Sequence, residues 1–168
     1  MKANTPIRTF SIGGLKLSPE LIQIRLFPDT GSLVTEMFRR LADQQVNLIG
    51  VVLDALDGQM TGVCYISIED RLAAEQALQP FKGLYELQSP VGLLTIFPHQ
   101  SRSELMGSLF AALGHAGLPV YGIASSLSSL TITTDYHRLD DAVSAVCQVV
   151  TLPDDHAPFR PEFRVKQL

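Results

Sequence analysis

The chain has 168 residues, of which 46% are hydrophobic and 18% are charged, and its formal net charge is −4 at pH 7. This balance is typical of one ordinary globular domain or two small ones, and it excludes a disordered chain. The basic residues are scattered, which argues against a nucleic-acid or anionic-membrane surface. No apolar run reaches the roughly 18 residues of a membrane span, and the polar start predicts no secretory signal, so we expect a cytoplasmic protein.

The cysteines and histidines predict no metal or disulfide chemistry. Cys64 and Cys147 lie far apart and form no CxxC pair, and the four histidines show no metal-ligand spacing. We therefore expect no cofactor and no metal site. Both thiols are interpreted as small core residues.

The first predicted elements are a strand and a helix. Leu21 to Phe27 is a short apolar strand that ends at Pro28, where the missing amide stops sheet pairing. Apolar residues then recur at three- and four-residue steps, which predicts a helix packed on one face. Asp29, Thr30 or Ser32 is expected to cap this helix.

Two strands, a helix and a further strand come next. Val46 to Leu53 is rich in branched residues, and Asp57-Gly58 is a strong hairpin signal before a second strand over Met60 to Ile68. A helix is predicted from about Glu69 to Gln79, followed by a short strand near Leu84 to Leu87.

The same order of elements restarts at Ser89-Pro90. Phe27-Pro28 matches Phe97-Pro98 at a separation of 70 residues, and the helix that follows matches its counterpart at 72. Farther on, Arg71-Leu72 matches Arg138-Leu139 at 67. Because these changes of register fall in loops, they are typical of a structural repeat.

The repeat predicts an α+β fold of two ferredoxin-like βαββαβ units packed side by side, with antiparallel sheets and helices on one face. We expect the units at residues 18–88 and 89–152. Residues 1–17 form an N-terminal segment that adds an edge strand, and residues 153–168 form an arm or a frayed end. Pairing of the units, and then of two chains, would bury exposed strand edges, which predicts a homodimer.

Several short stretches of both copies carry a resemblance to a known family. Asp29-Thr30-Gly31-Ser32, Leu41-Ala42 and Val46-Asn47-Leu48 resemble the loop, helix end and strand of a first ACT unit, and "VGLLTI" and "IASSLSSLTI" resemble parts of a second one. The chain thus resembles, over most of its length, the tandem ACT regulatory domain of aspartate kinases without the kinase domain. The resemblance implies a non-catalytic module that binds an amino acid or similar effector between ACT units and controls a partner enzyme.

The resemblance also implies a ligand site. Free amides at a helix start favour an α-carboxylate, and an acidic side chain favours an α-ammonium group. By this carry-over Asp29 binds the ammonium group or side chain of the ligand, and amides after it receive the carboxylate. The implied residues are Asp29, Thr30, Gly31, Ser32 and Leu33 in the first copy and Val120, Tyr121, Gly122 and Ile123 in the second.

A second candidate site follows from the repeat. Its residues are His99, Gln100, Ser101 and Arg102 of the second loop, with Asn47, Leu48 and Gly50 of the first copy. Plainer interpretations stay open beside these: loop residues without a ligand, a helix cap at Asp29, and a tight loop that needs glycine at Gly31.

The chain also departs from the family. Leu53-Asp54 stands where the family has Gln-Asn, and Pro119 stands where it often has an effector-binding Asn. Proline removes a side-chain amide and a backbone donor, so lysine or threonine specificity is not transferred. The departures motivate an alternative, a structural or assembly subunit with degenerate ligand sites that provides only a dimerisation surface. No nucleophile and base can be assembled into a catalytic site, so we expect no enzyme.

Overall fold

The computed structural model describes residues 9–98 and 102–160. The chain divides into two compact units, one formed by Glu20–Val91 and the other by Met1–Pro19 together with Gly92–Leu168. We call them the inserted unit and the flanking unit. The described part of the N-terminal segment, which was expected to add an edge strand, therefore groups with the second half of the chain.

Nine strands and four α-helices follow one another along the described residues. In chain order they are β1 (Phe10–Ser11), β2 (Gly14–Leu17), β3 (Leu21–Thr30), α1 (Gly31–Asp43), β4 (Gly50–Leu56), β5 (Gln59–Ser67), α2 (Arg71–Leu78), β6 (Tyr85–Phe97), α3 (Ser103–His115), β7 (Gly122–Ser125), β8 (Leu130–Asp135), α4 (Leu139–Val146) and β9 (Val150–Thr151). None of these helices is long and apolar enough to cross a membrane.

The strands of the inserted unit are antiparallel and ordered β4-β5-β3-β6. Alternate residues of β3 lie on one face of the strand and are buried against α1 and α2. The predicted α+β class with antiparallel strands is confirmed. The central residues of this core are Ile22, Ile24, Leu26, Val34, Met37, Leu41, Cys64, Ile66, Ala74 and Leu78.

Strand β3 continues past Pro28 to Thr30, so its predicted end at Phe27 is wrong. In the register with β5, β3 uses one more residue than β5 between Leu26 and Asp29. This bulge leaves Pro28 outside the strand pairing, where its missing N–H costs no hydrogen bond of the sheet. The strand therefore reaches the first residue of the helix without a separate loop.

Residues of the neighbouring strands hold the bulge in place. The Thr61 hydroxyl donates a hydrogen bond to the Leu26 carbonyl oxygen over 2.7 Å. Opposite Leu26 lies Gly62, where an added Cβ would overlap the Val52 carbonyl oxygen. Backbone thus approaches backbone at Gly62 more closely than any other residue type permits.

Two further predicted boundaries are wrong. Strand β4 begins at Gly50 rather than Val46, because Val46 is buried at the end of α1 and donates its N–H to the Leu41 carbonyl. The short strand near residues 84–87 is the first part of β6, which continues through Ser89-Pro90. The register between β3 and β6 shifts by one residue there, which accommodates the proline.

In the flanking unit the strands are ordered β2-β6-β8-β7, and β1 pairs in parallel with β9 in a separate two-stranded sheet. The N-terminal β2 thus fills the place next to β6 that the last strand of a βαββαβ unit would take. Phe10 donates its N–H to Val149, and Leu17 donates its N–H to Phe159 over 2.7 Å. The segment up to Phe159, expected as an arm or frayed end, is therefore hydrogen-bonded to this unit.

Both units contain a strand, a long helix, a hairpin and a short helix. Helices α1 and α3 have 13 residues each and begin 72 residues apart, the separation that the sequence predicts. A 3-10 turn precedes each short helix, with Ser67 accepting the Glu69 N–H in one unit and Asp135 accepting the His137 N–H in the other. The predicted hairpin at Asp57-Gly58 is confirmed, and both residues have positive φ.

The two cysteine thiols differ in burial. Cys64 is fully buried in the inserted unit, and burial raises the pKa of its thiol to about 12, as expected for a core residue. Cys147 lies at the exposed end of α4, so its interpretation as a core residue is wrong.

Replacing Gly62 with alanine tests the bulge. Because the new methyl group would overlap the Val52 carbonyl, we expect Gly62→Ala to lower the free energy of unfolding by about 2 kcal/mol or more. Gly107→Ala is the control, since open space surrounds Gly107 in a helix and alanine there should stabilise by about 0.5–1 kcal/mol. Urea unfolding followed by circular dichroism measures both. An unchanged midpoint for Gly62→Ala would contradict the close approach.

Candidate functional site

The first predicted site lies where β3 ends and α1 begins. The Asp29 carboxylate accepts the Thr30 N–H over 2.6 Å, and the hydroxyl oxygens of Thr30 and Ser32 lie 3.1 Å apart. Thr30 occupies the N-cap position of α1, but its side chain makes no capping hydrogen bond. The predicted side-chain cap is therefore absent at Thr30. A carboxylate, two hydroxyl groups and the start of a helix are brought together within four consecutive residues.

The start of α1 suits an anion. The first N–H groups of a helix have no acceptor within the helix, and the helix dipole places partial positive charge there. No acidic side chain occupies the first turn of α1. Asp29, which precedes the helix, contacts the Thr30 N–H, so the amides of Gly31, Ser32 and Leu33 are the donors suited to an incoming carboxylate.

Gly31 is not required by its backbone conformation. It is the first residue of α1 and does not have a positive φ angle. The interpretation of Gly31 as part of a tight loop is therefore wrong. A Cβ at this position would meet only the Met60 methyl group, at an ordinary 3.7 Å. Neither the backbone conformation nor the packing around it requires glycine at this position.

The second part of the predicted site, residues 120–123, belongs to the flanking unit. Val120 is exposed and precedes β7, while Tyr121 donates its N–H to the Thr133 carbonyl over 2.8 Å. Gly122 and Ile123 pair with β8. Since β7 is the last strand in its order, its other edge has no strand partner among the described residues.

The proline that departs from the family pattern has a structural role. The Pro119 carbonyl accepts a hydrogen bond of 2.6 Å from the hydroxyl of the buried Thr134. This bond joins the connection after α3 to the end of β8. Proline at this point therefore leaves a carbonyl in use and supplies no amide for a ligand.

The residues of the second candidate site are only partly described. His99, Gln100 and Ser101 lie outside the described residues. Arg102 is the exposed N-cap of α3 and makes no side-chain cap, and Glu104 follows in the first turn of that helix. The other three residues, Asn47, Leu48 and Gly50, belong to the inserted unit. Asn47 and Leu48 are exposed and precede β4, and Gly50 is the first residue of β4.

The two helix starts differ in charge. Glu104 places a negative charge in the first turn of α3, where it interacts favourably with the helix dipole. The same charge opposes a second anion at that place. The first turn of α1 has no acidic residue, but the Asp29 carboxylate lies directly before that helix and places its own negative charge there.

The charges farther along α1 compensate one another. Glu36 accepts hydrogen bonds from Arg39 at 2.7 and 2.8 Å and from Arg40 at 3.0 Å. The hydrogen bond from Arg39 is the main reason that the pKa of Glu36 is lowered to about 2. Glu36 is therefore ionised at neutral pH and engaged by two guanidinium groups, which leaves Asp29 as the carboxylate nearest the helix start.

Sequence reasoning missed the residues of β5 that hold the bulge next to the site. Thr61 and Gly62 hold the bulge that carries Asp29 to the helix, and Met60 lies opposite Asp29. A glycine inside a predicted strand was the available signal, since it is typical of a bulge or a close backbone approach.

No group of three or more His, Cys, Asp or Glu side chains within the described ranges is arranged to hold a metal ion. The chemistry of the site is that of hydrogen bonding and charge. It offers amide donors for an anionic group and, beside them, a carboxylate for a cationic one.

No protein-family model matches the sequence, and no curated protein matches it. Solved structures of other proteins do match the structure of this chain. The regulatory subunit of aspartate kinase from Thermus flavus has a TM-score of 0.70 and 20% identity, and the match covers 82% of this chain and 97% of that one. The ligand-free regulatory subunit from Thermus thermophilus has a TM-score of 0.69 and 19% identity over the same shares.

A larger protein contains the fold as a part. E. coli aspartokinase III in complex with lysine and aspartate matches with a TM-score of 0.58 and 14% identity, over 87% of this chain and 34% of that one. Identities this low establish the fold and not the activity. The resemblance stated from the sequence is confirmed at this level: the chain has the fold of the regulatory subunits of aspartate kinases.

Proposed function

We propose that the chain is a non-catalytic regulatory module that binds an amino acid or a similar small effector at the start of α1. Bound effector would control a partner enzyme of amino-acid metabolism, for which an aspartate kinase is our first candidate. The observation that carries the proposal is an uncapped helix start beside a carboxylate, in a fold shared with aspartate kinase regulatory subunits. Helix amides and a carboxylate are complementary to the two charged groups that every free amino acid has.

In this proposal the α-carboxylate of the ligand accepts hydrogen bonds from the amides of Gly31, Ser32 and Leu33. Its ammonium group binds Asp29. One oxygen of Asp29 already accepts the Thr30 N–H, and the second oxygen remains as an acceptor for the ammonium. Hydrogen bonds to charged groups contribute about 1.5–3 kcal/mol each, so three of them contribute about 4.5–9 kcal/mol, compared with the roughly 8.2 kcal/mol of micromolar binding.

We further propose that an edge strand of another ACT unit closes the site. Of residues 120–123, Gly122 and Ile123 belong to β7, whose second edge has no strand partner among the described residues and is therefore available for such closure. Ligand bound between two units would favour one relative orientation over another, and this preference would pass to the partner enzyme with a reciprocal effect on ligand affinity. A homodimer of this chain is part of the proposal.

A structural or assembly subunit with degenerate ligand sites is the second candidate. Its support comes from the flanking unit, where Pro119 offers no amide and Glu104 occupies the first turn of α3. Under this candidate the chain provides only a dimerisation surface, and the start of α1 is an ordinary helix end.

Ligand screening separates the two candidates. We expect one of the twenty amino acids, at about one hundred times its dissociation constant, to stabilise the native state by about 2.7 kcal/mol and to raise the melting temperature by several degrees. A fluorescence thermal-shift assay measures this, and calorimetry confirms each hit. If none of the twenty amino acids raises the melting temperature, the assembly subunit is favoured.

Replacing Asp29 with asparagine tests the ammonium contact. The amide oxygen still accepts the Thr30 N–H, so stability should stay within about 0.5 kcal/mol, whereas loss of the charge should raise the ligand dissociation constant about tenfold or more. Asp57→Asn is the control, because Asp57 lies in the hairpin turn and asparagine suits its positive φ. Titration calorimetry with the hit compares both variants. Equal affinity in Asp29→Asn and wild type would remove Asp29 from the site.

Replacing Gly31 with alanine tests the approach to the amides. A methyl group fits the folded chain at this position, so we expect stability to rise by about 0.5 kcal/mol or stay unchanged. The same methyl group should hinder the ligand carboxylate and weaken binding. Thermal melting and calorimetry give the two quantities, and a variant that keeps full affinity would place the carboxylate elsewhere.

A further inference from the structure

The segment that follows β9 forms a strap on the flanking unit. It comprises residues 153–160, and we call it the strap. Within it, His156 donates its N–H to the Pro153 carbonyl over 3.2 Å, and the His156 and Phe159 rings are stacked with their centroids 5.0 Å apart. The strap therefore has local structure of its own in addition to its contacts with the rest of the unit.

Three contacts join the strap to the flanking unit. The Leu17 N–H donates to the Phe159 carbonyl over 2.7 Å, and the Phe159 side chain is partly buried against the core of the unit. The Arg160 guanidinium lies 3.0 Å from a carboxylate oxygen of Asp140, in the first turn of α4. We call this surface the strap seat: the Leu17 N–H, the apolar surface under Phe159 and the Asp140 carboxylate.

The contact at Leu17 uses the edge of a strand. β2 pairs with β6 along one edge, and directly after β2 the Ser18 N–H donates to the Leu93 carbonyl over 2.9 Å. Successive N–H groups of a strand point to opposite edges, so the Leu17 N–H points away from β6 and toward the strap. Addition of an extended segment to a strand edge is a recurrent mode of peptide recognition.

The strap is held loosely enough to be displaced. The side chains of Arg160 and Asp140 are 52% and 84% exposed, and ion pairs this exposed contribute little to stability. Pro158, directly before Phe159, has no N–H to donate to a neighbouring strand. A competing segment has to replace the carbonyl, the aromatic ring and the cation that the strap supplies.

We propose that the strap seat is a peptide-binding site that the chain's own strap occupies in cis, and that an extended segment of the partner enzyme displaces the strap. The segment that fits has an aromatic residue followed by an arginine or lysine, because the seat is complementary to that pair. The strap is thus an autoinhibitory contact. The inference rests on the proposed function for the existence of a partner enzyme, and its tests need neither that enzyme nor an effector.

Attachment in cis sets how strongly a partner segment must compete. A short tether gives a bound segment an effective concentration in the mM range. If the strap and the partner segment each bind the seat with a dissociation constant of about 10 µM, a strap at about 1 mM weakens the partner segment about 100-fold. A partner therefore displaces the strap when other contacts hold it nearby or when its segment binds the seat better.

Hydrogen exchange in the wild type tests whether the strap opens by itself. The Leu17 N–H bonds to the strap and the adjacent Ser18 N–H bonds to β6, so the two amides report on different partners. If the strap leaves while β2 stays paired, the protection factor of Leu17 should be at least about tenfold lower than that of Ser18. Exchange measured by NMR gives both values. Equal protection would mean that the strap and β2 open only together, which would overturn the proposal.

A peptide in trans tests the seat itself. In the full chain, Phe159→Ala combined with Arg160→Glu should release the strap and move the Leu17 amide resonance. The synthetic peptide PDDHAPFR, which copies residues 153–160, should bind this release variant and return the resonance toward its wild-type position. Binding to the wild type should be at least about tenfold weaker, because the tethered strap competes. A peptide with alanine in place of phenylalanine should bind the release variant about tenfold more weakly or worse.

Phe110→Ala combined with Arg71→Glu is the matched control. It also removes an exposed aromatic ring and an arginine from an ion pair of 3.0 Å, here with Glu75. The control should keep the Leu17 resonance in place and bind the peptide as weakly as the wild type does.

A release variant that binds the peptide no better than the control would overturn the proposal. If the release variant does not fold, the exchange measurement on the wild type decides. The amino-acid screen is read separately: a failed peptide experiment refutes the strap seat and leaves the effector site at α1 untouched, and a failed screen does the reverse.

Discussion

The direction in which the chain enters α1 depends on the extra residue that β3 holds between Leu26 and Asp29. Side chains alternate between the two faces of a strand, so removing that residue would turn Asp29 to the opposite face. The bulge cannot relax toward a regular strand at no cost, because Thr61 binds the Leu26 carbonyl and Gly62 brings two backbones into contact. The position of a carboxylate beside the helix amides is thus a result of strand pairing and not of the loop alone.

The two units show how one fold gives different local chemistry. Each has a long helix of 13 residues after its first strand, yet the first turn of α1 has no acidic residue and that of α3 has Glu104. A carboxylate in the first turn stabilises its own helix and repels another anion. The two helix starts therefore differ in local charge, and this difference limits how far a function can be assigned from fold alone.

Local signals allowed several parts of the structure to be predicted from the sequence. The apolar stripe of α1, its match in α3 and the Asp57-Gly58 turn depend on short-range preferences, and all three are found. For β1 and β2 the sequence predicted only one added edge strand without its partner, because both strands are short and pair with segments far along the chain. The passage of β3 beyond Pro28 was missed for a similar reason, since the bulge depends on Thr61 and Gly62 of another strand. In the candidate site, the helix start was therefore predictable and its supporting residues were not.

The division of the chain has a consequence for synthesis on the ribosome. The inserted unit is one continuous segment, Glu20–Val91, whereas the flanking unit needs residues from both sides of it. Chains emerge from their N-terminus and domains generally fold as units, so the inserted unit can form its core while residues 92–168 are still being made. Strands β1 and β2 emerge first but must wait for β9 and β6. During that interval their apolar residues, such as Phe10 and Leu15, are available to chaperones or to wrong partners.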